Sequence, residues 1–310
     1  MNKLLKQFFL FMLYTIVVYL VLLIIWGELM PTIFKKNLTY SLGAYGHMYT
    51  RTREAEKIKN IDILFIGSSH AYRGFDTRIA KAYGYESFNL GSSSQTPVQT
   101  ELLLKKYLGS LNPKTIVYEV YPYTFTNDGV ESSLDMIANG KIDYDVLNMA
   151  FSLNNIKTYN SLVYGYYREI FNRNKNFSEN KIIDKDTYIP GGFVEREMAF
   201  NNPLAEDGIK TTEWIPLKYQ EKAFERILKL IKERGIKLVL VQSPVTKAKY
   251  ENYNNNDKID LYFSAKARYY NFNGLLYLSD STDFYNNDHL NQNGVIIFNK
   301  TLFDILAKDK

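Results

Sequence analysis

The residues best suited to chemistry in this chain are two hydroxyl groups and one imidazole. Ser68 and Ser69 follow Gly67 at the end of a short, branched apolar run, and His289 stands in a polar loop near the C-terminus. A serine hydroxyl is a weak nucleophile at neutral pH until a neighbouring base removes its proton. If Ser69 and His289 meet in the fold, they supply the nucleophile and the base of covalent catalysis.

Each of these residues also has a structural interpretation. The two serines are suited to cap a helix, because a serine oxygen accepts hydrogen bonds from the first backbone N–H groups. A third, weaker interpretation is that the turn cradles a phosphate at a helix entrance, but it lacks the glycines and the lysine of a nucleotide-binding motif. A lone histidine is usually structural. His70 competes with His289 as the base by proximity alone, but its place next to Ser69 at a helix start should direct its ring elsewhere.

Apolar periodicity predicts the elements that position these groups. Strands are predicted at 61–66, 85–90, 115–120, 236–241 and 274–278, and helices at 71–83, 95–108, 217–234, 260–270 and 295–306. Alternating strands and helices indicate an α/β fold, a three-layer, flavodoxin-like parallel sheet of about five strands. The loops that follow parallel strands share one edge of the sheet, so we expect Ser69 and His289 to converge there.

Composition excludes several classes of site. The 310 residues are 46% hydrophobic and 23% charged, with a net charge of +5 and scattered lysines, so no nucleic-acid partner is predicted. The absence of cysteine excludes disulfides, thiolate catalysis and cysteine-ligated metals. The three histidines, His47, His70 and His289, show no ligand spacing. Neither a metal nor any other cofactor is therefore predicted.

The N-terminus predicts a membrane anchor. Residues 8–26 carry no charge and are mainly Leu, Ile, Val and Phe, enough to cross a bilayer core of about 30 Å. Lys3 and Lys6 favour a cytoplasmic N-terminus with the remainder of the chain exported to the cell surface or periplasm. Glu28 agrees with this orientation, whereas two lysines shortly after it oppose it. A cleaved signal peptide and a buried soluble helix are the alternatives, but no small-residue cleavage site follows the run.

The chain accordingly divides into an anchor at 1–30, a connector at 31–60 and an α/β domain at 61–310. An irregular insertion at about 121–215 interrupts this domain, with a helical pattern only near 161–171 and no strand that we predict. The insertion follows the third strand at the expected site edge. It is either a lid that shapes the substrate site or a surface excursion without a role.

Three short motifs resemble those of the SGNH (GDSL-like) hydrolase superfamily. They are Gly67-Ser68-Ser69 after the first strand, Asn89-Leu90-Gly91 after the second, and His289-Leu290-Asn291 before the last helix. The resemblance covers about residues 61–125 and 236–308. More narrowly, the chain resembles a membrane-anchored branch that modifies cell-surface polymers, including proteins of teichoic-acid D-alanylation and O-acetyltransferases of exopolysaccharide.

The resemblance implies a role for each matching residue. Ser69 is the nucleophile, His289 is the general base, and the N–H groups of Ser69 and Gly91 form an oxyanion hole. Ser68 stands where many relatives have Asp.

Two departures from the family pattern bear on this site. Asn286 stands where relatives place the Asp that holds the histidine, and an amide orients the ring without supplying a full charge. Asp288 or Asp283 is the alternative partner of the imidazole. Tyr121-Pro122-Tyr123 replaces the Gly-x-Asn-Asp block, so the third oxyanion donor is missing or is replaced by an N–H or a tyrosine hydroxyl.

These features predict a membrane-anchored, extracytoplasmic serine acyl esterase or O-acyltransferase. An acetyl-sized group would be carried on Ser69 and passed to water or to a sugar hydroxyl. The expected partners are the membrane, a polysaccharide or glycolipid substrate and a multipass acyl-donor protein. The alternative, motivated by Asn286, is a catalytically weakened binding or assembly subunit of a polymer-modification complex.

Overall fold

The computed structural model describes residues 2–43, 45–202 and 211–308. The helices, in chain order, are α1 (Asn2–Leu29), α2 (Met48–Ala55), α3 (Ser69–Gly74), α4 (Thr77–Ala82), α5 (Pro97–Leu111), α6 (Pro122–Thr126), α7 (Val130–Asn139), α8 (Tyr144–Leu153), α9 (Ile156–Ile170), α10 (Lys218–Glu233), α11 (Lys247–Tyr250), α12 (Asn256–Ser264), α13 (Phe272–Leu275) and α14 (Gln292–Lys308). The strands are β1 (Ile63–Ile66), β2 (Ser87–Asn89), β3 (Thr115–Glu119), β4 (Ile182–Ile183), β5 (Asp186–Ile189), β6 (Phe193–Arg196), β7 (Lys237–Gln242) and β8 (Arg268–Asn271).

A five-stranded parallel sheet forms the centre of the molecule, in the order β2-β1-β3-β7-β8. Counted within this sheet alone, the order is 2-1-3-4-5, which is the flavodoxin-like order. Leu64 and Leu240 pack on one face with α5, α10 and α12, whereas Phe65 and Val239 pack on the other face with α3 and α14. Burial of both faces explains why these strands read as continuous apolar runs. The predicted three-layer α/β fold is confirmed.

Helix α1 is apolar and largely uncovered. It has a mean hydropathy of 2.9, and 6% of its most apolar stretch is buried inside the molecule. By length and composition it is able to cross a membrane. The division of the chain at residues 30 and 60 stays a prediction.

The fifth strand was wrongly predicted. It lies at Arg268–Asn271, where it pairs with β7, and the helix before it is Asn256–Ser264 and not 260–270. The apolar segment predicted as this strand, 274–278, is largely exposed, with Leu275 at 53% and Tyr277 at 98%. Tyrosine-rich β8 has polar ends and only partial burial, so its pairing depends on β7 and not on its own pattern.

The helix predicted at 71–83 is divided into α3 and α4. The Asn299 side chain accepts a hydrogen bond from the Asp76 N–H and donates one to the Gly74 carbonyl. Asp76 then caps α4 by accepting from the Arg78 N–H. A partner from α14 therefore satisfies the interrupted backbone, which explains why helical periodicity alone missed the break.

The insertion contains more structure than predicted. Strands β4, β5 and β6 form a second, antiparallel sheet, although no strand was predicted there. The helix expected near 161–171 is present as part of Ile156–Ile170. Residues 203–210 of the insertion lie outside the described residues. The strands were missed because β4 has only two residues and because β5 and β6 mix polar with apolar residues; β6 packs against α3.

Candidate active site

The turn after β1 presents Ser69 at the start of a helix. Gly67 has φ +138°, and a Cβ there would lie 2.7 Å from the Cβ of Glu119, so this position requires glycine. Ser68 is the N-cap of α3, and its Oγ accepts a hydrogen bond from the His70 N–H at 3.2 Å. The capping role considered for both serines therefore belongs to Ser68. Ser69 is the first residue of α3, and its hydroxyl is directed to another partner.

That partner is His289. Ser69 Oγ lies 2.8 Å from His289 Nε2, and both side chains are half-buried. The histidine loop is held by Asn291, whose Nδ2 donates to the carbonyls of Ala199 and Thr282. The structure thus brings together the two residues that the sequence placed at one edge of the sheet.

Asn286 orients the imidazole. Its Oδ1 accepts from the backbone N–H groups of Asp288 and His289, at 3.0 and 2.8 Å, and lies 3.2 Å from His289 Nδ1. A carbonyl oxygen only accepts, so this contact requires the hydrogen on Nδ1. Nε2 is then left unprotonated toward Ser69, which is the tautomer that a general base needs.

The two candidate carboxylates do not reach the imidazole. Asp288 Oδ1 accepts from the Tyr121 hydroxyl at 3.0 Å and lies 3.2 Å from Lys249 Nζ. Asp283 accepts from the Ser279 N–H at 2.8 Å. The prediction that Asp288 assists the histidine directly is not supported by its placement. The tight turn capped by Asn286 directs the side chain of Asp288 away from that of its neighbour.

The insertion contributes charge to this site. Arg73 of α3 forms a two-point ion pair with Asp186 of β5, at 2.8 and 2.6 Å, and Arg196 of β6 lies 3.0 Å from the same carboxylate. Burial, followed by the nearby His70 and the positive charges of Arg73, Arg196 and Lys249, holds the pKa of His289 well below its usual range. The imidazole is therefore neutral at pH 7 and able to accept a proton. The sequence had no signal for this second sheet at the site.

Two further rings stack on His289. The ring of His70 lies at a centroid distance of 4.8 Å and an angle of 14°, and Tyr285 covers the opposite side at 5.5 Å and 11°. The His70 Nδ1 atom faces Ser68 Oγ at 3.1 Å, and its ring contacts Tyr121. His70 is thus a neighbour of the base and not the base of Ser69, as expected from its position in the chain.

A buried carboxylate lies beneath the serine turn. Glu119, the last residue of β3, accepts from the Ser68 N–H at 3.0 Å and from the Ser68 hydroxyl at 2.8 Å. Burial raises the pKa of Glu119. Sequence reasoning missed this residue. Its signal was an acidic side chain ending an otherwise apolar strand, next to the nucleophile turn in a parallel sheet.

The oxyanion hole differs from the predicted one. The Ser69 N–H, at the first position of α3, has no intrahelical acceptor and so remains able to donate to an oxyanion. The Gly91 N–H instead donates to Asn89 Oδ1 at 3.0 Å. A Cβ at Gly91 would lie 2.9 Å from the Ser68 carbonyl and the Tyr72 nitrogen. Gly91 therefore allows close packing of two loops, and its N–H is already paired.

The space beside the pair is small. A cavity of about 10 Å³, room for about one water molecule, is lined by helix α3 and by two loops. These residues are His70, Arg73, Gly74, Ser243, Pro244, His289 and Leu290. Among the described residues, no group of three His, Asp or Glu side chains is arranged to hold a metal ion.

Comparisons with known proteins add little to this geometry. No protein-family model matches the chain, and no curated protein matches it. A candidate acylhydrolase from Bacteroides fragilis NCTC 9343 is similar in structure, with a TM-score of 0.42 and 11% identity over 84% of this chain and 94% of that one. A GDSL-like lipase from Bacteroides thetaiotaomicron VPI-5482 has a TM-score of 0.42 and 13% identity over 86% of this chain and 99% of that one. A likeness at this level does not assign an activity.

Proposed function

We propose that this chain is a membrane-anchored serine enzyme of the SGNH type, acting outside the cytoplasm as an acyl esterase or O-acyltransferase. The observation that carries the proposal is the 2.8 Å contact of Ser69 Oγ with His289 Nε2, together with Asn286 at Nδ1. A nucleophile, a base and a residue that orients the base are the three parts of such a site.

The proposed reaction has two steps, acylation of Ser69 and deacylation. Ser69 Oγ attacks the carbonyl carbon of an acyl ester while His289 Nε2 takes the hydroxyl proton. The Ser69 N–H stabilises the oxyanion of the tetrahedral intermediate. As the intermediate collapses, the bond to the leaving alcohol breaks and His289 returns the proton to that alcohol. Water or a sugar hydroxyl then attacks the acyl-serine carbonyl while His289 takes its proton. The bond to Ser69 Oγ breaks, His289 returns the proton to Ser69, and the acyl group leaves as the acid or as the sugar ester.

Asn286 makes this site electrostatically weaker than one with an aspartate. An amide holds the imidazole in its useful tautomer, whereas loss of that orientation in related sites lowers the rate on the order of 10⁴-fold. The amide does not offset the positive charge that forms on His289 during attack. We therefore expect a slow enzyme whose rate depends on substrate positioning.

The proposed substrate is a polysaccharide or glycolipid at the cell surface or in the periplasm, and the acyl group is acetyl-sized. The limited space beside His289 disfavours a long acyl chain, and the apolar helix α1 supports a location at the membrane. An anchor holds the site beside lipid-linked glycan and beside a multipass protein that supplies the acyl group. Such an arrangement favours transfer over hydrolysis.

Acyl capture tests the proposal. Full-length protein is incubated with an activated acetyl ester, and intact-mass and peptide mass spectrometry locate the adduct. We expect one acetyl group on Ser69, its loss in Ser69→Ala and in His289→Ala, and unchanged labelling in the control Ser264→Ala, an exposed serine on α12. Absence of acyl-serine in the folded wild type, or equal labelling of Ser69→Ala, would overturn the proposal.

A second candidate function is a binding or assembly subunit with a decayed site. It is favoured by the amide at Asn286 and by the engagement of the Gly91 N–H with Asn89. The Asn286→Asp variant separates the two functions. A large gain in ester hydrolysis over a nearly inactive wild type supports the decayed site, whereas no gain supports a working Asn286.

A further inference from the structure

Helix α9 of the insertion runs alongside the second half of α1. Near the end of α1, the Tyr164 hydroxyl donates to the Gly27 carbonyl at 3.2 Å and to Glu28 Oε1 at 3.0 Å. Nearer the middle of α1, the Tyr19 hydroxyl donates to Asn160 Oδ1 at 2.6 Å. Residue numbers rise in the same direction along both helices. The N-terminal end of α9 therefore points toward the middle of α1.

The contacts between α1 and α9 are closely packed. A Cβ at Gly27 would lie 2.4 Å from the ring of Tyr164, so only glycine allows this approach. Arg168 adds an ion pair with Glu28 at 3.3 Å, and Leu23 is buried against Tyr164. Packing, hydrogen bonds and an ion pair together thus fix the position of α9 along the axis of α1.

The contacts place the start of α9 at membrane depth. Tyr19 precedes Trp26, where the uncharged run ends, by about two helical turns, or about 10 Å of helix axis. Asn160 contacts Tyr19, and Ile156 lies one turn further from the outer end of α1. The turn that joins α8 to α9 is therefore level with part of α1 that lies in the bilayer.

That turn exposes apolar side chains. Phe151 is 63% exposed and Ile156 is 52% exposed, although each is large and apolar. We define residues 151–157 as the hairpin tip. Lys157, also exposed, lies beside them, and a lysine at this position can extend its ammonium group to lipid phosphates while its stem stays among apolar groups.

The backbone of the hairpin tip suits an apolar surrounding. The Asn154 N–H donates to the Phe151 carbonyl, and the Asn155 side chain accepts from the Lys157 N–H at 2.9 Å. The Tyr159 hydroxyl donates to Asn154 Oδ1 at 2.9 Å. Polar groups that are paired within a turn do not need water as a hydrogen-bond partner, so they can enter the membrane interface at low cost.

We propose that the hairpin tip inserts into the outer leaflet of the bilayer that α1 spans, so that the protein contacts lipid at two places. This inference rests on the membrane anchor of the proposed function. Lipid is the occupant because the tip is fixed beside a helix whose surrounding medium is lipid. A second contact beside α1 would hold the α/β domain in one orientation and fix the height of Ser69 above the membrane.

The absence of cysteine in the wild type makes the test direct. Single-cysteine variants Phe151→Cys and Ile156→Cys, in the full-length protein, are labelled with an environment-sensitive fluorophore and reconstituted in nanodiscs of phosphatidylcholine and phosphatidylglycerol. Doxyl-labelled lipids then report contact by quenching. The matched control is Tyr277→Cys, an exposed large side chain after α13, which packs on β7 and β8.

We expect doxyl lipids to quench the probes at 151 and 156 at least about twofold, as expected of side chains that contact lipid acyl chains, and to leave the probe at 277 unquenched. Unchanged thermal unfolding of the labelled variants verifies the fold. Probes at 151 and 156 that behave like the control, in protein held by the disc, would overturn the insertion alone. Protein recovered free of lipid would overturn the anchor and the insertion together, whereas acyl capture on Ser69 tests the chemistry separately.

Discussion

Replacing Asn286 by aspartate should raise the pKa of His289. Asn286 Oδ1 lies 3.2 Å from His289 Nδ1, and burial together with nearby positive charge holds the wild-type pKa well below 6.5. A carboxylate at that position favours the imidazolium, because opposite charges attract. Such a partner shifts a pKa by about 1–3 units. Residue 286 is exposed, so water screens the new charge. We therefore expect a rise of about 1–2 units, equivalent to about 1.4–2.8 kcal/mol.

The pH dependence of catalysis should move with this pKa. In the wild type the imidazole is unprotonated through the neutral range, so the rate of acyl-serine formation falls only in acid. In Asn286→Asp the acidic limb of kcat/KM should lie about 1–2 units higher. The rate on the alkaline plateau then reports whether a full charge beside the imidazolium accelerates attack.

Two measurements read this shift independently. One is kcat/KM for an activated acetyl ester from about pH 4 to about pH 9, corrected for spontaneous hydrolysis. The other is titration of the histidine resonances by NMR, which is tractable because the chain has three histidines. The His289 resonance is assigned by its loss in His289→Gln.

Asp288→Asn is the matched control. Its carboxylate faces Tyr121 and Lys249, so its removal takes away a charge next to His289 in the sequence but not at the ring. This variant should leave the pKa of His289 unchanged or lower it, because Lys249 loses its counter-charge. An Asn286→Asp variant with an unmoved pKa, or with a shift of the same sign and size as the control, would refute the proposed orientation of the imidazole.

Three further outcomes follow from the same geometry. His289 and buried His47 both have lowered pKa values in the folded chain. Below about pH 6.5 the unfolded chain therefore binds protons that the folded chain does not, so the free energy of unfolding should decrease as the pH is lowered. Denaturant titrations at several pH values should show this slope, and His289→Gln should reduce it; an unchanged slope contradicts the burial argument. Gly67→Ala should lower the free energy of unfolding by about 1–3 kcal/mol, measured by urea titration, because φ is +138° and its Cβ would meet Glu119. Glu119→Ala leaves the buried Ser68 N–H without an acceptor and should lower the same quantity by about 1–3 kcal/mol; an unaltered midpoint would show that this contact does not support the turn.

Several errors of sequence interpretation share one physical cause. The periodicity of the chain identified β1, β3 and β7 because both faces of these strands are buried and their residues are uniformly apolar. It misplaced the edge strand β8, which is partly exposed and owes its position to β7. It also missed β4, which has only two residues, and β5 and β6, whose polar residues form ion pairs such as Asp186 with Arg73. Such strands depend on neighbours that are remote in sequence.

The local sequence by itself determined the layered α/β fold, the apolar N-terminal helix, the serine after an apolar strand and the histidine in the polar loop before the last helix. These features depend on periodicity and on residue type, which short segments carry within themselves. Only the tertiary structure decided that Asn286 and not Asp288 faces the imidazole, that the Gly91 N–H donates to Asn89, and that Glu119 supports the serine turn. Glu119 and Ser68 are remote in sequence, and the other two contacts depend on the exact shape of a turn. A change of about 1 Å in such a distance makes or breaks a hydrogen bond.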